Sequence, residues 1–246
     1  MATPAWIELA GASNVRDVGG LRAGDRAVRR GVLLRSDHLD DATTDDLTLL
    51  AGKLGLRGVV DLRVAAEDPR PPAWDGHGVE VLPLPLFDLS GTTDRSAFRG
   101  DQADAYGAML DLAGASLVAI LQFVLRAEGA PVLIHCAAGK DRTGIAVAVL
   151  LAAAGVDHED IVADYLATDE RLQRVRAQLA TKAAYDSMAT NPLLAEAMTA
   201  DPIERVLHVI GSHVGGAEGY LVAHGATPAE IQRWRSIALA EQEAGA

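Results

Sequence analysis

One short segment concentrates the chemistry of this chain. Pro131-Val-Leu-Ile-His135-Cys136-Ala137-Ala138-Gly139-Lys140-Asp141-Arg142-Thr143-Gly144 holds the sole cysteine of 246 residues. It reads as a buried strand, a loop, and the start of an apolar helix. A loop that turns from a strand into a helix N-terminus aims several backbone N–H groups at one spot, where the helix dipole also favours negative charge. Small residues at Ala137, Ala138 and Gly139 let the backbone close around an oxyanion, with Lys140 beside them. Arg142 can return a two-pronged donor to the same anion. Such a field favours the thiolate of Cys136, and a thiolate facing a cradled phosphate is a nucleophile. The chemistry expected is phosphoester hydrolysis in two steps. Cys136 attacks phosphorus, Arg142 and the loop N–H groups stabilise the equatorial oxygens, and water then releases phosphate. A lone cysteine is otherwise a small buried hydrophobe, but the flanking His135, Gly139, Arg142 and Thr143 make chance a poor account of this spacing. His135 is expected to orient the loop rather than react.

Competing motifs fail by residue type. A nucleotide-binding loop needs glycine where Ile134 stands and Ser or Thr where Asp141 stands. No GxSxG, HExxH or GxGxxG occurs, and the seven histidines have no ligand spacing. No metal or other cofactor is therefore expected. Two other classes could use a cradle of this kind: a phospho-ligand binding module with little or no turnover, and a sulfur-transfer enzyme. The intact Cys136, Arg142 and Thr143 favour phosphate hydrolysis over both.

The elements that must position this loop are legible around it. Val32–Leu34, Gly58–Leu62, Val79–Leu86 and Pro131–His135 read as buried strands. Thr43 or Thr44 can cap a helix with Asp45 and Asp46 in its first turn, Leu47, Leu49, Leu50 and Leu54 facing inward, and Gly55 after its end. Ala115–Ala127 reads as another helix leading into the cysteine strand. Strands alternating with helices imply an α/β fold with a mostly parallel central sheet flanked by helices. After Arg142 the chain reads almost wholly as helix, with Gly155 a stop, Asp157 a cap, and Thr227-Pro228-Ala229-Glu230 a capping box. We expect a single domain over residues 1–246, with a helical insertion or lid within about 166–226. The Pro-interrupted piece Asp186–Pro202 is its candidate cover.

Charge and composition narrow the partners. With 22 basic against 34 acidic side chains the net charge is -12, which opposes nucleic-acid binding. Arg22, Arg26, Arg29, Arg30 and Arg35 form a local basic cluster, read first as a solvated hairpin and otherwise as a phosphate-steering surface. The start of the sequence has no secretory pattern, and the apolar stretch Thr143–Val156 is too short to cross a bilayer, so a cytoplasmic protein without membrane insertion is expected.

HCAAGKDRTG at 135–144, Asn14-Val-Arg-Asp-Val-Gly-Gly20, Arg35-Ser36, Val60-Asp61-Leu62-Arg63, Asp164-Tyr165-Leu166 and Gly219-Tyr-Leu together resemble the atypical bacterial protein tyrosine phosphatases. The likeness covers nearly the whole chain, with Val15 and Ala137-Ala138 as small departures. It implies a phosphatase with a phosphorylated protein or a phosphoinositide as substrate: phosphotyrosine first, with phosphoserine, phosphothreonine and phosphoinositides as candidate extensions. Lys140 is expected to place a positive charge at the rim for the lipid-like substrates. The likeness also gives Thr143 the role of donating to the cysteine sulfur, and draws Asn14–Gly20 from an ordinary turn toward a segment packed near the loop. Three aspartates compete to protonate the leaving group. Asp88 follows a strand where dual-specificity phosphatases carry their acid, Asp61 sits beside Arg63 as in a structural ion pair, and Asp141 lies in the loop and is favoured.

Overall fold

The computed structural model describes residues 3–67, 69–86, 102–185 and 198–241. Asp88 and most of Asp186–Pro202 lie outside them, so the geometry bears on neither expectation. Among the described residues the central sheet has six strands. Four are parallel: β5 (Leu33–Ser36), β8 (Val132–His135), β6 (Gly58–Asp61) and β7 (Glu80–Pro83), in that spatial order. Two short antiparallel strands, β1 (Ala5–Trp6) and β2 (Arg16–Asp17), extend the β5 edge. A small second sheet joins β3 (Arg22–Ala23), β4 (Arg26–Val28) and β9 (Leu239–Glu241).

Side chains of successive strand residues point to opposite faces, and the two cores divide accordingly. Leu33, Val60, Val132 and Ile134 pack into the larger core, beneath α2 (Gln102–Arg126) and α3 (Asp141–Ala154). Leu34, Val59 and Leu133 pack against Leu47, Leu50, Ala51 and Leu56 on the other face. This arrangement is the α/β, mostly parallel sheet read from the sequence. The register places Ser36, His135 and Asp61 side by side at the carboxyl ends of three parallel strands, where ligand sites of open α/β sheets form.

Several local expectations hold in detail. Thr43 caps α1 (Thr44–Leu47) in a reciprocal box with Asp46, and Thr227 does so with Glu230 for α8 (Pro228–Ala238). Gly155 ends α3. Others need correction. Thr48–Lys53 continues α1 as a π-helix, and the wider turn rotates Leu54 out to 38% exposure instead of inward. The helix read as Ala115–Ala127 starts at Gln102. Its Met109–Arg126 stretch is long and apolar enough to cross a membrane, but more than half of it is buried inside the fold. Asp157 precedes α4 (His158–Ala167) without capping it, because its carboxylate accepts the Gly24 N–H at 3.1 Å. Asp201-Pro202 opens the regular helix α6 (Asp201–Ser212) rather than breaking one. The helical second half also includes α5 (Asp169–Leu179) and α7 (Gly216–Ala223), and it ends by returning Leu239–Glu241 to the sheet formed with β4.

Candidate active site

The cysteine loop runs from the end of β8 to the start of α3, and its carbonyls are pinned from outside. His38 N–H donates to Ala137 O at 3.0 Å. Asn14 Nδ2 reaches Ala138 O at 3.1 Å and Gly139 O at 3.3 Å, and Arg35 Nη2 donates to Gly139 O at 2.8 Å. Among the described residues, the N–H groups of Ala137, Ala138 and Gly139 meet no protein acceptor. A backbone with its carbonyls tied outward and its N–H groups uncommitted is a nest for an oxyanion. Gly139 makes the turn possible: its φ is +66°, and a Cβ there would lie 2.4 Å from Ser36 O. Cys136, at 2% exposure, sits at the mouth of this turn.

The pins are themselves held by a buried charge cluster. Asp164 accepts from Arg16 Nε at 2.9 Å and from Arg35 Nη1 at 2.5 Å. Arg16 also bonds Asn14 Oδ1, the Asp164 carbonyl and Thr168 Oγ1. Burial alone would raise the Asp164 carboxyl, yet two guanidiniums at contact distance hold it below the ordinary carboxylate value. Asp37 takes the N–H groups of Ser13 and Asn14, and burial pushes its carboxyl up to about 6 despite them. Thus the Asn14 segment does pack on the loop, while Arg35 belongs to this interior cluster. Of the other basic residues, Arg22 on the β3–β4 hairpin pairs with Asp160 of α4.

Arg142 forks onto Glu67, from Nη1 to Oε2 at 2.5 Å and from Nη2 to Oε1 at 2.7 Å. Burial works against its charge, but Glu67 together with Cys136 and Tyr185 more than offsets this and keeps it a permanent cation. A bidentate carboxylate occupies the geometry a phosphate would take, so an incoming phosphate competes with Glu67 for the fork.

Asp61 is spoken for: Arg63 binds it through Nε and Nη2 at 3.0 and 2.8 Å and reaches Asp40 with the same guanidinium. His135 Nδ1 lies 3.2 Å from the Cys136 carbonyl, and burial lowers its pKa, which keeps the imidazole neutral. Asp141, the first residue of α3, accepts the Tyr106 hydroxyl at 2.6 Å.

Two expectations change. Lys140 is 1% exposed, so it is buried in the structure and not at an open rim; it is the residue that enters α3. Thr143 Oγ1 is buried without a hydrogen-bond partner, so the bond to sulfur is not made in this structure. Ala137 and Ala138 form one apolar cluster with Val175 and Leu179 of α5 and with Tyr185, which puts this part of the helical half directly on the loop. Beside it, a cleft of about 400 Å³ is lined by Asp40, Glu67, Lys182 and Tyr185. Sequence reading missed Glu67, Tyr106 and Tyr185, none of which carries a local signal. Arg16 and Asp164 were legible only through the family likeness, and Arg35 through it and as part of a basic cluster.

Comparison with known proteins agrees with this geometry. The profile described as "Tyrosine phosphatase family" matches residues 7–240. The triple specificity protein phosphatase PtpB of Mycobacterium tuberculosis is 31% identical over 94% of this chain and 98% of its own length. A protein of Cupriavidus necator named as a candidate tyrosine-protein phosphatase is 40% identical over 65% of this chain, and the match spans 61% of that relative's length. A tyrosine-protein phosphatase of Nostoc commune is 28% identical over 84% of this chain and 74% of its own.

Proposed function

The chain belongs to the tyrosine phosphatase family, and from that premise we propose that it hydrolyses phosphomonoesters through a phosphocysteine formed at Cys136. The observation that carries this is the loop itself: outward-pinned carbonyls, uncommitted N–H groups at Ala137–Gly139, and the Arg142 fork beside the only cysteine. In the first step Sγ of Cys136 bonds to phosphorus as the bond to the leaving oxygen breaks. The N–H groups of the loop and Arg142, released from Glu67, take the equatorial charge. Asp141 gives its proton to the departing oxygen, then as a carboxylate removes one from the water that attacks the phosphocysteine. Thr143 takes the role that the family likeness gives it, donating its hydroxyl to sulfur as the thiolate leaves; that Oγ1 is buried with no other partner supports this.

Phosphotyrosine in a protein is the proposed first substrate. The name of the mycobacterial relative supports extension to phosphoserine, phosphothreonine and phosphoinositides; the buried position of Lys140 gives no separate support to the lipids. Because α5 and Tyr185 lie on the loop, we propose that they act as a lid that moves aside for a macromolecular substrate. Assaying p-nitrophenyl phosphate with chelator present at about pH 5–7 tests the reading. Turnover abolished in Cys136→Ser is expected. Binding without turnover would identify a phospho-ligand module, and sulfur transfer from thiosulfate to cyanide the rival enzyme class.

A further inference from the structure

Next to the arginine brace, three polar groups from three helices meet in the buried core. The Tyr106 hydroxyl of α2 lies 2.6 Å from Asp141 Oδ1 at the start of α3, and 2.8 Å from the Tyr165 hydroxyl of α4. Both tyrosines are 1% exposed, with their rings edge to face. Phenylalanine at either place would bury the same ring without carrying a hydroxyl into an apolar interior, which is costly unless the hydroxyl is bonded. The packing therefore does not call for these hydroxyls, and the carboxyl does.

The direction of the bonds is fixed by proton count. Burial, Asp141 and Tyr165 hold the Tyr106 phenol well above its ordinary value, so it keeps its proton. With the Tyr106 proton pointed at Asp141 Oδ1, Tyr165 is the donor across the 2.8 Å contact. The last glycine of the loop motif makes room for this chain: a Cβ at Gly144 would lie 2.9 Å from Tyr165 Cδ2. We propose that Tyr106, backed by Tyr165, is a positioning residue that fixes the carboxyl of Asp141 for proton delivery to the leaving group. The inference rests on the reading of Asp141 as general acid.

An acid is effective only when its proton lies on the line of the departing oxygen, which requires the plane of its carboxyl to be fixed. With Oδ1 held by Tyr106, the plane of the carboxyl is set before substrate arrives. In the step itself the proton passes from Asp141 to the leaving oxygen while Sγ–P forms and P–O breaks. The tyrosines keep their protons throughout, and Tyr106 then donates to the carboxylate that remains.

The test compares phenyl phosphate, whose poor leaving group needs the acid, with 2,4-dinitrophenyl phosphate, which does not. Asp141→Asn is expected to slow the first by about 10²–10⁴ and the second by less than about 5-fold. Tyr106→Phe should slow the first by about 10–100-fold with the second nearly unchanged, and Tyr165→Phe should give a smaller loss of the same pattern. The double variant Tyr106→Phe/Asp141→Asn should be no slower than Asp141→Asn alone within about 2-fold, because the tyrosine acts through the carboxyl. Equal loss on both substrates in Tyr106→Phe, or multiplied losses in the double variant, would overturn the proposal while leaving Asp141 in place. If Asp141→Asn itself shows no leaving-group selectivity, the acid assignment is wrong and the positioning role goes with it. Should Tyr106→Phe fail to fold, Tyr165→Phe carries the same comparison.

Discussion

Asp164→Ala removes one carboxylate that neutralises two buried guanidiniums. The side chains of Arg16 and Arg35 are 0% and 1% exposed, so neither can turn to water for its lost partner. Breaking a buried pair from one side costs about 3–5 kcal/mol, since a charge is left uncompensated. Arg16 would keep Asn14 Oδ1, the residue-164 carbonyl and Thr168 Oγ1 as acceptors. Arg35 would keep only Gly139 O, and its Nε already lacks a partner. A loss near 4 kcal/mol is therefore expected, about 8–16 °C in Tm for a chain of this size. Asp164→Asn, which keeps an acceptor but not the charge, should lose roughly half of that. The sign with pH follows from the lowered carboxyl. Its contribution is complete above the unfolded value of 3.8 and disappears as pH falls through the lower folded value, so wild type and variant should converge only below about pH 4. Urea unfolding at about pH 7 and pH 3.5 measures both. A difference under about 1 kcal/mol at neutral pH would refute the claim that this carboxylate holds the brace together.

Other perturbations act on the loop and its supports. Asp37 is protonated more readily in the folded chain, near 6 against 3.8 unfolded, so stability falls as pH rises between those values. Asp37→Asn should therefore stabilise the protein at pH 7.5 relative to pH 4.5 by about 1–3 kcal/mol in urea titrations, and an unchanged difference between the two pH values would contradict it. Gly139→Ala forces a Cβ to 2.4 Å from a backbone oxygen at a φ of +66°. Calorimetry with vanadate should find binding lost, along with about 2–4 kcal/mol of stability. Arg142→Lys replaces a fork by a point charge, and kcat/KM should drop by about 10²–10⁴; a loss below about 5-fold would mean that the fork does not hold the transition state.

Strands β6 and β8 were legible as bounded, buried apolar runs, and the cysteine loop because its residue types are rare in that order; the run Val79–Leu86, read as a buried strand, is a strand only over Glu80–Pro83 and partly exposed, because it lies at the sheet edge. Boundaries failed where packing overrides pattern. Gln102–Gly114 mixes Ala, Gly and Asp, a weak helical signal, and it is helical as part of a 25-residue element packed on α3 and α6. Leu239–Glu241 has no strand propensity to speak of and is a strand only because β4 offers it a partner. Leu54 faces outward because a π turn shifted the register. In the site, the Asp61–Arg63 pair was readable from a spacing of two residues, whereas Glu67 meets Arg142 across 75 residues and Tyr106 meets Asp141 across 35. Such partners belong to the topology, and no local motif announces them.

The central claim is that phosphate passes through the only thiol of the chain. Rapid acid quench during turnover of p-nitrophenyl phosphate, followed by peptide mass spectrometry, observes this directly, with Asp141→Asn used to slow breakdown of the intermediate. The account predicts a phosphoryl group on the peptide containing Cys136, formed in the burst of p-nitrophenol and absent from Cys136→Ser. A burst-free reaction that leaves Cys136 unmodified, or a phosphoryl group on any other residue, would contradict it.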